Sequence, residues 1–224
     1  MIKQRMLNGA FTMAPILIGL VPFALTTGIY GTEANLPIWQ TVTMSVFIFA
    51  GASQVAVTGL LEQAAPISII ILTAFLINLR FLVYSAAVTK HIEKAPKGMK
   101  PLLAYLLVDQ IFILLSAGDK KADKTYEYLG AGIVCWFSWQ LSVFLGAHFG
   151  NIIPESLSLK FSLPIMFLFF GVSLLKKPIH IICAITTIIS IVVLYPIMPL
   201  GSGLLTSILI GALSGLVFKR VSPL

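Results

Sequence analysis

Long apolar stretches alternate with short polar segments along this 224-residue chain. A helix that crosses a bilayer needs roughly 20 predominantly apolar residues, and most of the stretches approach that length. The eight stretches are residues 8–30, 39–61, 66–89, 101–117, 126–149, 161–175, 178–196 and 201–218. The sixth is short for a straight span and is predicted either to tilt or to pair with the seventh as broken helices. The pattern predicts an all-α, polytopic integral membrane bundle in which at least one segment is broken or re-entrant.

Composition supports one membrane domain with no soluble module. Hydrophobic residues make up 58% of the chain and charged residues only 10%, and the mean hydropathy is +1.00. A soluble domain needs more charge than this to cover its surface. The longest polar stretches, 90–100 and 119–127, have the length of loops. We therefore predict a single transmembrane transport domain over residues 1–224, with its first apolar stretch retained as a span.

The formal net charge of +7 is explained by membrane flanks. Lys and Arg residues occur in short clusters between apolar stretches, which is typical of cytoplasmic loops under the positive-inside rule. A nucleic-acid-binding face would gather them on one surface instead. The lipid bilayer of a cell membrane, crossed several times, is the expected surrounding, and no nucleic-acid partner is expected.

The orientation of the chain in the membrane is inferred from the basic residues on each side. Apart from Arg80, eight spans with a cytoplasmic N-terminus place nine basic residues inside and five outside, and four of those five lie in the loop 90–100. A re-entrant second segment broken at Gly51 moves that loop inside, but the count becomes seven against seven. The first arrangement has unequal counts on the two sides, whereas the second does not distinguish them. We therefore expect eight spans with both termini inside.

Small and polar residues interrupt the second apolar stretch. In "FIFAGASQVA", residues 47–56, the cluster consists of Gly51, Ala52, Ser53 and Gln54. One interpretation is a packing notch for a neighbouring helix, with Gln54 hydrogen-bonded across it. The other is that Gly51 breaks the helix and exposes backbone groups beside Ser53 and Gln54 for a ligand.

Charged residues occur at depth in the third and fourth stretches. Arg80 lies ten residues before Lys90, hence roughly 15 Å from that end of its helix, on the same segment as Asn78 and Tyr84. Asp109 is predicted at a similar depth on the next segment, which a short loop makes an antiparallel neighbour. An Arg80–Asp109 pair is predicted. It either fixes helix register or forms a substrate or ion site that opens during transport.

Motifs for other chemistry do not occur in the sequence. There is no H-E-x-x-H, G-x-S-x-G or Walker A motif, so transport is expected to be facilitated or driven by an ion gradient. No enzymatic activity, catalytic residue, cofactor or metal site is predicted. Cys135 and Cys183 lie in apolar stretches and are interpreted as packing residues. Gly at fourfold spacing (146 and 150, 211 and 215) predicts close helix packing within the chain.

Four segments together resemble one transporter family. "FIFAGASQVA", "LINLRFLVYSAAV", "LLVDQIFIL" and "YLGAGIVCWFSWQLSVFLGAHFGNIIP" occur in that order, and they are similar to the AzlC-type branched-chain amino acid permeases, the large subunit of a two-component exporter. The resemblance covers roughly the first 170 residues. It places the family's motif residues at Phe49, Gly51, Ala52, Ser53, Gln54, Asn78, Arg80, Tyr84 and Asp109. Gln110 and Phe81 depart from the acidic residue and the histidine of many relatives.

The resemblance implies efflux of branched-chain amino acids and analogues such as azaleucine across the inner membrane. It also implies a small, separately encoded AzlD-type membrane subunit as partner. Substrate binding is then expected at Gly51, Ala52, Ser53, Gln54, Asn78, Arg80 and Tyr84, with ion coupling at Asp109 and Arg80. The alternatives are a transporter of another small amino acid or ion, and a non-transport scaffold subunit.

Overall fold

The protein is helical throughout the residues that its computed structural model describes, which are 2–116, 123–150, 175, 178–198 and 202–221. In chain order the helices are α1 (Ile2–Glu33), α2 (Ile38–Ile48), α3 (Gly51–Glu62), α4 (Ile67–Asn78), α5 (Arg80–Val88), α6 (Lys100–Tyr105), α7 (Asp109–Ser116), α8 (Thr125–Phe149), α9 (Pro178–Leu194) and α10 (Ser202–Val221). Short 3-10 turns, Thr89–His91 and Lys97–Met99, join α5 to α6. The predicted all-α class is confirmed in this part of the chain.

Three helices of the described residues are long and apolar enough to cross a membrane: Ile2–Glu33, Ile67–His91 and Thr125–Phe149. The bent pair Lys97–Tyr105 and Asp109–Ser116 raises the number to four if it counts as one span. The expected eight spans are therefore not confirmed. Except for residue 175, the segment 161–175 lies outside the described residues, and the last two segments form shorter apolar helices.

The chain forms two compact units, residues 1–163 and 164–224. In the second unit, α9 and α10 pack against each other. A Cβ on Gly211 would lie 3.0 Å from the carbonyl oxygen of Cys183, and one on Gly203 would lie 2.8 Å from Cα of Tyr195. The predicted packing role of Gly211 is confirmed. That residues 1–224 act as one transport domain stays a prediction.

Helices α1 and α8 form the most extensive helix contact of the first unit. They run in parallel, because the early residues of α1 lie against the first turns of α8 and Leu25 lies against Gly146. Any side chain at the crossing would collide with backbone: a Cβ on Gly28 would lie 2.7 Å from the nitrogen of Ala147, and one on Gly146 would lie 2.8 Å from the carbonyl carbon of Leu25. The predicted intrachain role of Gly146 is therefore confirmed.

Helices α2 and α3 are separated at Phe49 and Ala50. Phe49 adopts the left-handed conformation with φ 36° and ψ 44°, and Ala50 is extended. The predicted interruption therefore exists, but not at Gly51, which is the first residue of α3. Gly51 is needed for space instead, since a Cβ there would lie 2.6 Å from Cζ of Phe23 and 2.5 Å from Cη2 of Trp139. Sequence reasoning assigned the break to the glycine because glycine adopts unusual torsions most easily.

These two helices form a re-entrant hairpin, which we call the first hairpin (residues 38–62). Near the start of the hairpin, Thr41 lies against Gly31. Near its end, a Cβ added to Gly59 would lie 2.9 Å from the hydroxyl oxygen of Tyr30. Both contacts are at the C-terminal end of α1, whereas the break packs on Phe23 further back along α1. The chain thus turns back at the break and leaves at the end where it entered.

Helices α6 and α7 form the second hairpin (residues 97–116), bent by 116° at its break. The carbonyl oxygens of Leu103 and Leu115 accept hydrogen bonds from Tyr128 and Lys124, both at the start of α8. Residues 101–117, which were expected to form a span, are therefore interrupted at residues 106–108. Apolar periodicity does not reveal a reversal in an apolar segment, but Asp109 marks it, because a carboxylate suits the N-terminal turn of α7.

Two hairpins place the basic loop 90–100 at the same end as the N-terminus. The carbonyl oxygen of His91 accepts a hydrogen bond from the backbone nitrogen of Lys124 at 2.9 Å, and Arg5 pairs with Asp123 and Glu127. Apart from Arg80, every Lys and Arg of the described first unit lies at this basic end: Lys3, Arg5, Lys90, Lys94, Lys97, Lys100 and Lys124.

The opposite, acidic end carries Glu33 and Glu62, and the described residues place no Lys or Arg there. The expectation that loop 90–100 lies across the membrane from the N-terminus was wrong. The single-hairpin alternative failed as well, because it reversed only the second segment and so moved Lys124 to the far side. With the fourth segment also reversed, these basic residues lie together at one end, which is the distribution that the positive-inside rule predicts for the cytoplasmic side.

Candidate functional site

Three helix interruptions converge in the middle of the first unit: residues 49–50, residue 79 and residues 106–108. The hairpin tips touch, since the Tyr105 hydroxyl donates to the carbonyl oxygen of Val46 at 2.5 Å and the rings of Phe49 and Tyr105 are 5.7 Å apart. Arg80 and Asp109, each just after an interruption, meet at 3.0 Å. Such breaks remove helical hydrogen bonds, so backbone polar groups become available at depth.

The predicted Arg80–Asp109 pair is present. The guanidinium Nη1 of Arg80 lies 3.0 Å from Oδ2 of Asp109, and the Tyr84 hydroxyl donates to Oδ1 of Asp109 at 2.8 Å. Tyr84 stacks on Phe112 with ring centroids 4.2 Å apart, which holds its hydroxyl toward the carboxylate. The side chains of Arg80 and Asp109 keep 25% and 28% of their surface exposed, so the pair is not sealed in the interior.

The first hairpin contributes amides and hydroxyls. Asn78 Nδ2 donates to the Ser53 hydroxyl oxygen at 3.3 Å, and Gln54 Nε2 donates to the carbonyl oxygen of Thr41 at 3.2 Å. Ser53 and Gln54 are fully buried, and Ala52 is half-buried in the first turn of α3. The chain joins this group to the ion pair directly, because only Leu79 separates Asn78 from Arg80.

Sequence reasoning missed the contribution of α8 to this site. Trp139 Nε1 donates to the Ser45 hydroxyl at 2.8 Å, and Gln140 Nε2 donates to the Ser45 carbonyl oxygen at 3.3 Å. One turn earlier on α8, Trp136 Nε1 donates to the Tyr105 hydroxyl of the second hairpin at 2.7 Å. Gln140 could have been found by the criterion that singled out Asn78, a polar side chain within an apolar stretch.

Four buried side-chain polar atoms of the described residues have no hydrogen-bond partner: Gln54 Oε1, Asn78 Oδ1, Arg80 Nε and Gln140 Oε1. All four belong to this cluster. Leaving a buried polar atom unpaired costs about 1–3 kcal/mol, so native proteins pair nearly all of them. Three amide acceptors and one guanidinium donor suit a ligand that carries both an ammonium and a carboxylate.

A metal centre finds no comparable support in the described residues, where no group of three or more His, Cys, Asp or Glu side chains comes together. His148 lies between aromatic rings, 5.8 Å from Phe144 and 4.7 Å from Phe149 by ring centroids. At the interruptions, the Asp109 carboxylate is already held by Arg80 and Tyr84.

Comparison with known proteins identifies membrane proteins as relatives. The chain is 23% identical to "Inner membrane protein YgaZ" of Escherichia coli K12 over 220 residues, which cover 94% of this chain and 89% of that protein. It is 28% identical to an uncharacterized membrane protein of Archaeoglobus fulgidus over 137 residues, 61% of this chain and 59% of the relative. An uncharacterized membrane protein of Helicobacter pylori 26695 is 29% identical over 101 residues, 45% of this chain and 44% of that protein.

No solved structure matches the chain significantly. The sequence profile described as "AzlC protein" matches residues 15–153. That range includes residues 15–33 of α1, both hairpins and α8, and therefore every residue of the site at the interruptions. Because the profile covers more than half of the chain, this protein is a member of the AzlC family of membrane proteins.

Proposed function

We propose that this protein is a secondary exporter of branched-chain amino acids and analogues such as azaleucine across the inner membrane. The observation that carries the proposal is the set of unpaired buried atoms at the interruptions, Gln54 Oε1, Asn78 Oδ1, Gln140 Oε1 and Arg80 Nε. An amino acid supplies an ammonium for the amide oxygens and a carboxylate for the guanidinium. Arg80 then binds the carboxylate, and Ser53, Gln54 and Asn78 orient the ammonium.

The surroundings favour an aliphatic side chain. Phe49 and Tyr105 meet at the hairpin tips, and Phe81 lies under the Arg80 guanidinium at 5.2 Å. A hydrophobic pocket of this kind discriminates by only about 1–3 kcal/mol per methylene. We therefore expect loose selectivity among leucine, isoleucine and valine, with strong discrimination against charged side chains.

Asp109 is the proposed coupling residue. Its carboxylate is held by Arg80 and Tyr84, and a zwitterionic substrate would compete for both charges of the pair, its carboxylate for Arg80 and its ammonium for Asp109. A coupling cation bound at the Asp109 carboxylate would exclude the substrate ammonium. Binding of a coupling ion and binding of substrate would thus alternate on the same pair, which is how a gradient drives export without an ATPase motif. No enzymatic step is part of this cycle.

A small AzlD-type subunit is the proposed partner. The rod formed by α4 and α5 exposes apolar side chains along most of its length, among them Ile71, Phe75 and Leu82. It also carries Arg80, whose side chain is a quarter exposed. A protein neighbour at this rod would shield the charge from lipid better than acyl chains do.

A second candidate is export of a different small amino acid. The unpaired atoms recognise groups that all amino acids share, so they do not choose the side chain. A thermal-shift panel of amino acids on the purified protein separates the two: the first candidate expects stabilisation by leucine, isoleucine and valine. Stabilisation by glycine or lysine without valine favours the second.

The direct test is counterflow of radiolabelled leucine in proteoliposomes, with and without the small subunit. We expect substrate-dependent flux with the native chain and loss of flux with Gln54→Met, with Gln63→Met as the matched control, since Gln63 is exposed at the end of α3. Absence of leucine flux under both conditions would rule out the proposed export. Intact flux with Asp109→Asn and Arg80→Gln would favour a scaffold role for those residues.

A further inference from the structure

A cavity of about 210 Å³ lies between α5, α6 and α8, apart from the site at the interruptions. Its lining includes three polar side chains, Ser85, Thr89 and Lys100, and apolar side chains such as Val88, Ile92 and Leu107. Neither the family resemblance nor the ion pair accounts for it. An apolar gap can remain empty, but a gap that contains a cation and two hydroxyls favours a polar occupant.

The lining of the cavity comes from residues at the basic end of the first unit and from residues close in sequence to the ion pair. At the basic end, Thr89 begins a 3-10 turn and Lys100 is the first residue of α6. At the inner side, Ser85 follows Tyr84 directly and Leu107 precedes Asp109 by two residues. Tyr84 and Asp109 are hydrogen-bonded to each other, so these two lining residues lie within two positions of the contacts of the ion pair.

The charge of the lining is suited to a carboxylate. Lys100 is exposed and has no ion-pair partner within the described part of the chain. The hydroxyl of Tyr128 donates to the carbonyl oxygen of Leu103. The Thr89 hydroxyl donates to the carbonyl oxygen of Ser85 at 2.7 Å. Among the lining residues, the Lys100 ammonium is therefore the single full charge, and Val88 and Leu107 are buried apolar surface beside it.

We propose that this cavity is the cytoplasmic vestibule of the transporter, in which a zwitterionic amino acid with an apolar side chain binds before it reaches the interruptions. Lys100 attracts the substrate carboxylate, and the buried apolar wall accepts the aliphatic side chain. The next cation along this route is Arg80, so the carboxylate passes from one cation to the other. This inference rests on the proposed export function and adds where the substrate enters.

Cysteine protection tests the vestibule. The chain has two cysteines, which are removed as Cys135→Ala and Cys183→Ala. Ala104→Cys then places one thiol in the cavity lining, and Lys97→Cys places one at the basic end outside it, at an exposed position. Inverted membrane vesicles, which present the cytoplasmic face, are treated with a charged, membrane-impermeant thiol reagent. The rate of modification is measured with leucine or with mannitol as the osmotic control, and leucine transport is measured in the same vesicles.

We expect leucine at ten times its Kd to slow modification of Ala104→Cys about tenfold, because about one site in ten then remains free. Lys97→Cys should react at the same rate with leucine and with mannitol. Adding Lys100→Gln should weaken the protection at Ala104→Cys, and Lys100→Arg should preserve it. If Ala104→Cys does not fold, Ser85→Cys is a closely matched replacement, since it exchanges only oxygen for sulfur.

Two outcomes would overturn the vestibule while the proposed function stands: equal modification rates with leucine and mannitol in vesicles that transport leucine, or reaction of the thiol only from the opposite membrane face. If a lipid chain occupied the cavity instead, the thiol would be modified slowly and at equal rates with leucine and with mannitol. Vesicles of the cysteine-free parent that do not transport leucine, although the protein is folded, count against the proposed function itself.

Discussion

The contact between α1 and α8 differs from the cluster at the three interruptions in how well its groups are packed and paired. At Gly28 and Gly146 two helix backbones touch without intervening side chains, and both glycines lie inside uninterrupted helices. At the interruptions the helices end within the first unit, and the side chains of Gln54, Asn78, Arg80 and Gln140 keep unpaired polar atoms.

This difference separates what holds the protein together from what it does. Close helix packing is the main source of stability between helices in lipid, where the hydrophobic effect no longer drives them together. Unpaired polar atoms lower stability, and proteins keep such features mainly at functional sites. Substitutions in the first region should therefore change folding, and substitutions in the second should change transport.

The largest expected effect is at the helix crossing. Gly28→Leu inserts a side chain against the backbone of Val143 and Ala147 and should destabilise the protein by at least about 3 kcal/mol, the upper range for overpacking. Gly19→Leu is the matched control on the same helix, since no atom lies within 4 Å of a Cβ there. Size-exclusion chromatography and thermal unfolding in detergent measure both. Equal behaviour of the two variants would contradict the role of the crossing.

The next effect concerns the ion pair. Arg80→Gln or Asp109→Asn leaves one charge without its partner and should each destabilise the protein by about 2 kcal/mol, less than for a fully buried pair because both side chains are partly exposed. The double variant should be more stable than either single one. Thermal midpoints of the three variants form a double-mutant cycle, and additive losses would show that the two residues do not stabilise each other.

A smaller change in stability, with a large change in function, is expected at Gln54. Gln54→Met keeps a similar volume and removes the unpaired Oε1. The free energy of unfolding, measured by thermal unfolding, should therefore stay within about 1 kcal/mol of the native value or rise. Leucine flux should fall at least tenfold, a loss of about 1.4 kcal/mol or more. Transport at the native rate would place the substrate elsewhere.

The smallest effect is at the basic end. Hydrogen bonds from Thr125, and then the nearby charge of Arg5, hold the pKa of the Asp123 carboxyl below its ordinary value, against a smaller opposing effect of burial. A lowered folded pKa stabilises the protein above the unfolded pKa of about 4 and loses that contribution as the pH falls below it. Asp123→Asn should remove this acid-side change, at most about 1 kcal/mol, in thermal unfolding between pH 7 and pH 3. An unchanged profile would show that Asp123 contributes nothing.

Much of the site could be predicted from the sequence, because polar groups within apolar stretches are rare and need partners. Asn78, Arg80, Tyr84 and Asp109 were found by that criterion, and the predicted Arg80–Asp109 pair is confirmed. Gln140 was missed although it meets the same criterion. Ser45 and Tyr105 could not be found, since their roles depend on where the two hairpin tips meet.

By itself, the sequence determined the membrane class, the family and the pairing of two charges, since these follow from composition and from the cost of burying polar groups. Only the tertiary structure decided the topology. Hydropathy records whether a segment is apolar but not whether its chain reverses, so the second hairpin, and with it the side on which loop 90–100 lies, came from the contacts of Tyr128 and Lys124. Gly51 likewise proved to be required by its neighbours, Phe23 and Trp139, and not by its own torsions.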